Sequence, residues 1–391
     1  IITHSSVPCS IMAGIYLHIP FCKQACTYCN FHFSTLLKYK EDVLKAMLQE
    51  ISQQAQFFPD KTTIDTIYFG GGTPSLLSSG EINEFINQLH KYFSISENPE
   101  ITIEANPDDL SKSYLASLKK ETPVNRFSIG VQSFFDEDLQ YMNRAHCAND
   151  AINSIHFAQE IGFENLSADL IYGTPTMNNE RWKKNLQTVF DLHIPHLSCY
   201  ALTVEEKTIL ATQIKQQKSN APSDELMAQQ FSILVDEMKL NGYTHYEISN
   251  FCKEPHFARH NTNYWKGIPY LGIGASAHSF DGKNRHWNIS NNTIYAKSIL
   301  NNNPARESEV LSLTDAYNEY VMTSIRTIFG TDTTKIKQDF GADFSQHFSV
   351  EISPFMENNW VIKSDNIYTL NDSGKLFCDY ITENLFLSNE E

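Results

Sequence analysis

The stretch GIYLHIPFCKQACTYCNF, residues 14–31, decides how the rest of the chain is read. Its first part is a short apolar run of the kind that forms a buried strand. Directly after that run, Cys22, Cys26 and Cys29 stand within eight residues, in the spacing C-x3-C-x2-C. Three thiols this close either share a metal centre or oxidise, which disfavours simple packing. A zinc site needs a fourth ligand, for which His32 is the nearest candidate in sequence. A [4Fe–4S] cluster on three protein thiolates leaves one iron open to an outside ligand. The stretch by itself leaves both centres open.

Working outward, apolar runs alternate with helical periodicity. The run KYKEDVLKAMLQEI carries Val43, Leu44, Met47, Leu48 and Ile51 at helical spacing, and EINEFINQLHKYF does the same with Ile82, Phe85, Ile86 and Leu89. TIDTIYF, ITIEA, RFSIGVQ, NLSADLIYG and HLSCYAL read as strands, with further helices near residues 109–120, 149–161 and 179–191. A longer helix over residues 224–243 precedes a last short strand, THYEIS. Such alternation predicts βαβ units and an α/β fold on a parallel sheet, closed or open. Active sites of these folds lie at the carboxyl ends of the strands. Cys22, Gly70–Thr73, Glu104, Gln132, Asp169 and Tyr200 all fall at such ends. Their convergence on one rim is far more telling than any of them alone.

The last third reads differently. After a loop-rich stretch around residues 281–310 come a helix (LTDAYNEYVMTSIRTIF), a second helix (TTKIKQDFG), a strand–turn–strand pattern in residues 358–375 and a final helix (KLFCDYITENLF). These predict a small winged-helix-like domain that packs or covers. The division expected is a core barrel over 12–250, a motif-bearing connecting segment over 251–304 and a C-terminal domain over 305–391.

Composition narrows the function class. The 391 residues carry a net charge of −16, which argues against a general nucleic-acid binder. No apolar run is long enough to span a bilayer, so membrane contact would be peripheral. Eight cysteines, clustered once and otherwise scattered, fit a reducing compartment, the cytoplasm, with one metal or redox site. The scattered ones read as small buried apolar residues. The opening IITHSSVPCS lacks the regions of a signal peptide, so Met12 is the expected start and residues 1–11 a disordered extension.

Other motifs extend the rim. In YFGGGTPSLL, Gly71, Gly72 and Thr73 leave room for a ligand to approach the backbone. Glu104 in IEANP and Asp169 in SADLIYG are carboxylates closing apolar strands, while Gln132 and Arg144 add an amide and a guanidinium. In ARHNTNYWKGIPYLGIGASAHSF, His260 beside Tyr264 and Trp265 offers either an imidazole and flat surface for a porphyrin or a structural closure of the sheet. His245, His256 and His278 are further candidate ligands.

The cysteine spacing, with Tyr28 just before the last cysteine, resembles the signature of the radical S-adenosylmethionine (SAM) enzymes. The ordered set YLHIPFC, GGGTPS, EANP, SIGVQS, DLIYGTP and HNTNYW resembles one branch, the oxygen-independent coproporphyrinogen III oxidases (HemN) and the related heme chaperones (HemW). The resemblance runs from Met12 through essentially the whole chain. It implies a partial (β/α)6 TIM-like barrel with a small C-terminal domain. It also implies a [4Fe–4S] cluster on Cys22, Cys26 and Cys29 whose open iron takes SAM. Contacts to SAM are implied at Tyr16, Tyr28, Gly71, Gly72, Thr73, Glu104, Gln132, Arg144 and Asp169, and to heme at His260, Tyr264 and Trp265. The oxidases carry a further cysteine two residues past the third, where Phe31 stands here, and an N-terminal arm before the first strand. Both differences point to the chaperone branch. Heme would then be cargo for an acceptor protein, a membrane-bound respiratory enzyme being the expected class. A dimer is left open, and oxidative decarboxylation of coproporphyrinogen III is the alternative function.

Overall fold

The computed structural model describes residues 11–388. Residues 1–10 of the expected extension, Cys9 among them, lie outside these. Six strands form the centre: β1 (Met12–Ile19), β2 (Thr63–Gly71), β3 (Ser94–Ala105), β4 (Arg126–Gln132), β5 (Asn165–Tyr172) and β6 (His196–Ala201). They lie in chain order, each parallel to the next. Crossovers run through α1 (Lys40–Gln53), α2 (Ser79–Tyr92), α3 (Lys112–Glu121), the pair α4 (Asp136–Tyr141) and α5 (Ala148–Ile161), and α6 (Asn179–Asp191). Because β1 and β6 are not neighbours in the sheet, the array is an open, partial barrel. This is the expected α/β architecture.

The local causes are ordinary. In α2, Ser78 and Glu81 form a reciprocal capping box, and Ile82, Phe85, Ile86 and Leu89 form the buried stripe their spacing predicts. In α1, Val43, Leu44, Met47 and Ile51 are buried likewise. The strands, covered on both faces, read as nearly continuous apolar runs.

The sheet extends further than the sequence indicates. After α7 (Ile209–Lys215) and α8 (Asp224–Leu240), β7 (Thr244–Glu247) and β8 (Asn250–Cys252) add antiparallel strands next to β6. Then α9 (Arg259–Trp265) leads to β9 (Tyr270–Ile273), which pairs parallel to β1. β10 (His278–Phe280), β11 (Asn284–Asn288) and, after α10 (Asn292–Leu300), β12 (Arg306–Val310) continue antiparallel on that side. Residues 251–304, expected to be a connecting segment, therefore carry sheet strands, and β12 belongs to the large sheet and not to the C-terminal domain. NRHWN and RESEV are short and polar, so no apolar alternation announced them.

The C-terminal domain holds α11 (Leu313–Ile325), β13 (Thr331–Asp332), α12 (Thr333–Asp339), α13 (Ala342–Glu351), α14 (Ser353–Glu357), β14 (Val361–Ser364), β15 (Ile367–Leu370), α15 (Asp372–Lys375) and α16 (Cys378–Leu385). The three strands form their own antiparallel sheet, and Val321, Ile336, Phe348 and Ile381 belong to a core separate from the barrel's. The domain docks on the β7 end of the sheet, where Ile328 N–H donates to the Tyr246 carbonyl at 3.0 Å. Among the described residues, no helix is long and apolar enough to cross a membrane.

Candidate functional site

The rim residues converge. Cys22, Cys26 and Cys29 lie on the loop after β1 and line one cavity of about 440 Å³ with Tyr28, Gly71, Gly72, Thr73, Glu104, Gln132, Arg144 and Asp169. Tyr16 is the expected residue that falls outside it. It lines the neighbouring cleft, and its hydroxyl meets His18 Nδ1 at 3.1 Å.

The cysteine loop is held from outside by the turn after α4. Thr27 N–H donates to the Met142 carbonyl at 3.1 Å, Asn143 Nδ2 to the Ala25 carbonyl at 2.8 Å, and Gln24 Nε2 to the Asn143 carbonyl at 2.9 Å. Two donors reach the thiols from within: Thr73 Oγ1 to Cys22 Sγ at 3.3 Å and Arg144 Nη1 to Cys26 Sγ at 3.2 Å. Arg144 Nη2 donates to Asn106 Oδ1 at 2.5 Å and to the Gly130 carbonyl at 2.9 Å, while its buried Nε–H has no protein acceptor. Burial pushes the Cys22 thiol up to about 11 and raises that of Cys29, so thiolates here need a compensating positive charge such as bound iron.

Among the described residues, no three His, Cys, Asp or Glu side chains are gathered closely enough to hold a single metal ion. His32 is turned away, its Nε2 bonded to Asn292 Oδ1 at 2.8 Å. The Cys3His zinc alternative therefore loses its fourth ligand. Three thiols around one cavity, each free to meet a different iron, fit the donor set of an open-iron cluster.

The glycines fit this crowding. Gly71 has φ +106°, and a Cβ there would stand 2.7 Å from the His18 ring. At Gly72 a Cβ would come within 2.6 Å of the Phe21 carbonyl oxygen. The two carboxylates sit deeper. Glu104 accepts from Tyr68 Oη at 2.8 Å and from Gly71 N–H at 3.1 Å. Asp169 accepts from Ser128 Oγ at 3.1 Å. Burial, reinforced by their mutual repulsion, lifts Glu104 to about 7, while burial lifts Asp169 to about 6. Both are poised near neutrality.

A second cavity of about 1000 Å³ lies between the barrel mouth and the C-terminal domain. It shares Phe31, Glu104, Tyr200 and Ala201 with the cysteine-lined cavity. His260, Tyr264 and Trp265 line it, carried by α9, whose first turn is capped by Glu100 accepting from Arg259 N–H and His260 N–H. Both His260 ring nitrogens are engaged, Nδ1 with Thr66 Oγ1 at 2.7 Å and Nε2 with Tyr264 Oη at 2.8 Å. Gly14 makes the space: a Cβ there would stand 2.7 Å from Thr66 Oγ1 and 3.1 Å from the His260 ring. His245 bonds the Ile248 carbonyl and Lys375, and His278 is exposed beside Trp287. Of the scattered cysteines, Cys199, Cys252 and Cys378 are buried as expected, while Cys147 is exposed. Asn106 and Ser128 were not singled out from the sequence, and although Phe31 and Tyr200 were each noted there, nothing showed that they meet in one wall. Asn106 stands inside the quoted EANP motif and Ser128 inside SIGVQS, and those motifs were the signal available for them.

Known proteins resemble this chain over most of its length. The radical SAM superfamily model matches residues 16–189 and the HemN C-terminal domain model residues 311–377. The heme chaperone HemW of Bacillus subtilis is 32% identical over 93% of this chain and 97% of its own length. The heme chaperone HemW of Haemophilus influenzae is 28% identical over 96% of this chain and 98% of its own. Among solved structures, coproporphyrinogen III oxidase (HemN) from Escherichia coli superimposes with a TM-score of 0.82 over 96% of this chain and 90% of its own, at 24% identity. That likeness shows a shared fold.

Proposed function

The chain belongs to the HemW family within the radical SAM superfamily, and from that premise we propose that it is a heme chaperone. It binds a [4Fe–4S] cluster and SAM at the barrel rim, holds heme in the adjoining cleft, and passes that heme to a heme-requiring protein. A membrane-bound respiratory enzyme is the expected class of acceptor. The observation that carries this reading is the shared wall: the cysteine-lined cavity and the large cleft meet at Phe31, Glu104, Tyr200 and Ala201.

When bound, the cluster supplies an open iron for SAM and an electron for radical chemistry. The protein's part is binding and placement. Cys22, Cys26 and Cys29 would hold the cluster, and the donors Thr73 and Arg144 would steady their thiolates. The free Nε–H of Arg144 suits the methionine carboxylate, Glu104 its amino group, and Asp169 a ribose hydroxyl. Gly71, Gly72 and Gln132 shape the wall, and Tyr28 would cover the adenosine. In the cleft, Tyr264 and Trp265 offer flat surface. An iron bond from His260 would require Nε2 to give up Tyr264.

The test uses one anaerobic preparation with reconstituted cluster, reductant and SAM. Heme titration is expected to give a Soret band, and coproporphyrinogen III is expected to yield no vinyl product. Formation of protoporphyrinogen would overturn the chaperone reading in favour of the oxidase. His260→Ala, run alongside, is expected to shift the Soret maximum if the imidazole reaches iron. An unchanged maximum assigns His260 to support alone.

A further inference from the structure

Resting on the heme reading, we infer that Arg326 and Lys375 of the C-terminal domain are the carboxylate anchors of the cleft. Its ligand is then a flat, apolar ring system with two carboxylates at one edge, the ring lying against the barrel mouth and the carboxylates against the C-terminal domain.

The apolar part of the argument is exposure. Phe31, Tyr200, Leu376, Phe377 and Tyr380 all line this cavity and all remain open to solvent, Phe31 by 68% and Tyr380 by 55%. Large side chains left open around one concave surface mark a binding site. The polar part is a set of donors with poor partners. Arg326 lies over the Trp265 ring at 5.5 Å, and both Arg326 Nε–H and Trp265 Nε1–H are buried without an acceptor. A buried donor left unpaired is costly, and an incoming carboxylate oxygen would relieve the cost.

The partners these cations do have are replaceable. Arg326 Nη2 meets Asp379 at 3.0 Å, but the Asp379 side chain is 96% exposed, so the pair is weak. Lys375 Nζ lies between Asp372 Oδ1 at 3.1 Å and His245 Nδ1 at 3.0 Å. Burial and the neighbouring Lys375 charge hold His245 neutral, near 3, so it accepts from the Lys375 ammonium without adding a charge of either sign. The deeper carboxylates of the cleft are already used. Glu247 feels the Arg326 charge, and Arg326 also reaches the Cys378 thiol, but the hydrogen bonds Glu247 accepts come from Ser249 N–H and Asn250, and those of Glu104 from Tyr68 and Gly71. Two cations whose ion-pair partners, Asp379 and Asp372, are solvent-exposed, beside an aromatic floor, select anionic groups on an apolar body.

The experiment compares heme with heme dimethyl ester, which keeps the ring and iron but loses both charges. Full-length protein with its cluster is expected to bind the ester roughly tenfold or more weakly than heme, by absorbance titration. Arg326→Gln combined with Lys375→Met is expected to bind both ligands with the weaker affinity, while Arg326→Lys with Lys375→Arg keeps the preference for heme. Equal affinity of the unaltered protein for both ligands overturns the inference and leaves the heme reading standing, with no variant required. A preference for heme that persists in a folded double variant, its fold checked by circular dichroism, also overturns it, since the anchors then lie elsewhere. Absence of any heme binding removes this inference and the reading beneath it together.

Discussion

At the residue scale, chemistry was legible where type and place coincided. Glu104 and Asp169 could be singled out because a carboxylate ending an apolar strand is conspicuous. Asn106 and Ser128 could not, since such residues end strands everywhere and gain meaning only beside Arg144 and Asp169. Nor could sequence show that Tyr16 faces the cleft and not the cysteines. The raised carboxyl group of Glu104 has a definite consequence. A ligand amino group binds the ionised carboxylate, so affinity should fall as pH drops through about 7. By isothermal titration of the cluster-loaded protein, SAM is expected to bind several-fold more weakly at pH 6 than at pH 8, nearing a tenfold limit if only the ionised form binds. Glu104→Gln should bind weakly at both pH values; a variant that keeps the full pH dependence assigns it to another group. The stability term runs the opposite way. Glu104 takes up a proton on folding, so its contribution to stability declines as pH rises from the ordinary 4.5 towards about 7.

At the element scale, the parallel strands and their crossover helices were readable because both faces of the sheet are covered and the periodicities are clean. RFSIGVQ and residues 179–191 appear with the expected bounds. The polar strands β10, β11 and β12 were not readable, because hydrogen bonding to a neighbour defines them and their composition does not. The clamp on the cysteine loop was hidden for a similar reason: residues 24–27 and 141–143 are far apart in sequence. Asn143 sits in this clamp with φ +55°, a conformation asparagine tolerates better than most residues. Asn143→Ala removes its side-chain bond to Ala25 and adds backbone strain, together worth about 1–2 kcal/mol. The loop should open more often, and chelator-driven loss of iron, followed by cluster absorbance, is expected to quicken roughly five- to thirtyfold. Unchanged loss would mean that the clamp does not hold the loop.

At the scale of the molecule, the sequence distinguished a barrel from a smaller C-terminal domain but gave no sign of the space between them. That cleft depends on how the domain sits against β7 and α9, through contacts such as Ile328 to Tyr246, Arg285 to Glu319 at 2.6 Å and Lys266 over Phe329. These are a backbone hydrogen bond, an ion pair and a cation–π contact, joined by Ile248 packing on the C-terminal core, whereas each body has its own core. Such domains tend to open separately. Ile336 is fully buried in the C-terminal core and makes no part of either cavity. Ile336→Ala should cost about 2–5 kcal/mol. If the domain is an independent cooperative unit, hydrogen exchange will quicken across α11–α16 while β1–β6 keep their protection and the cluster stays bound. Heme affinity should fall in the same variant, because one wall of its seat is then intermittently missing. Equal loss of protection in both bodies would show instead that barrel and C-terminal domain fold as one, and that the cleft is a rigid notch in a single core.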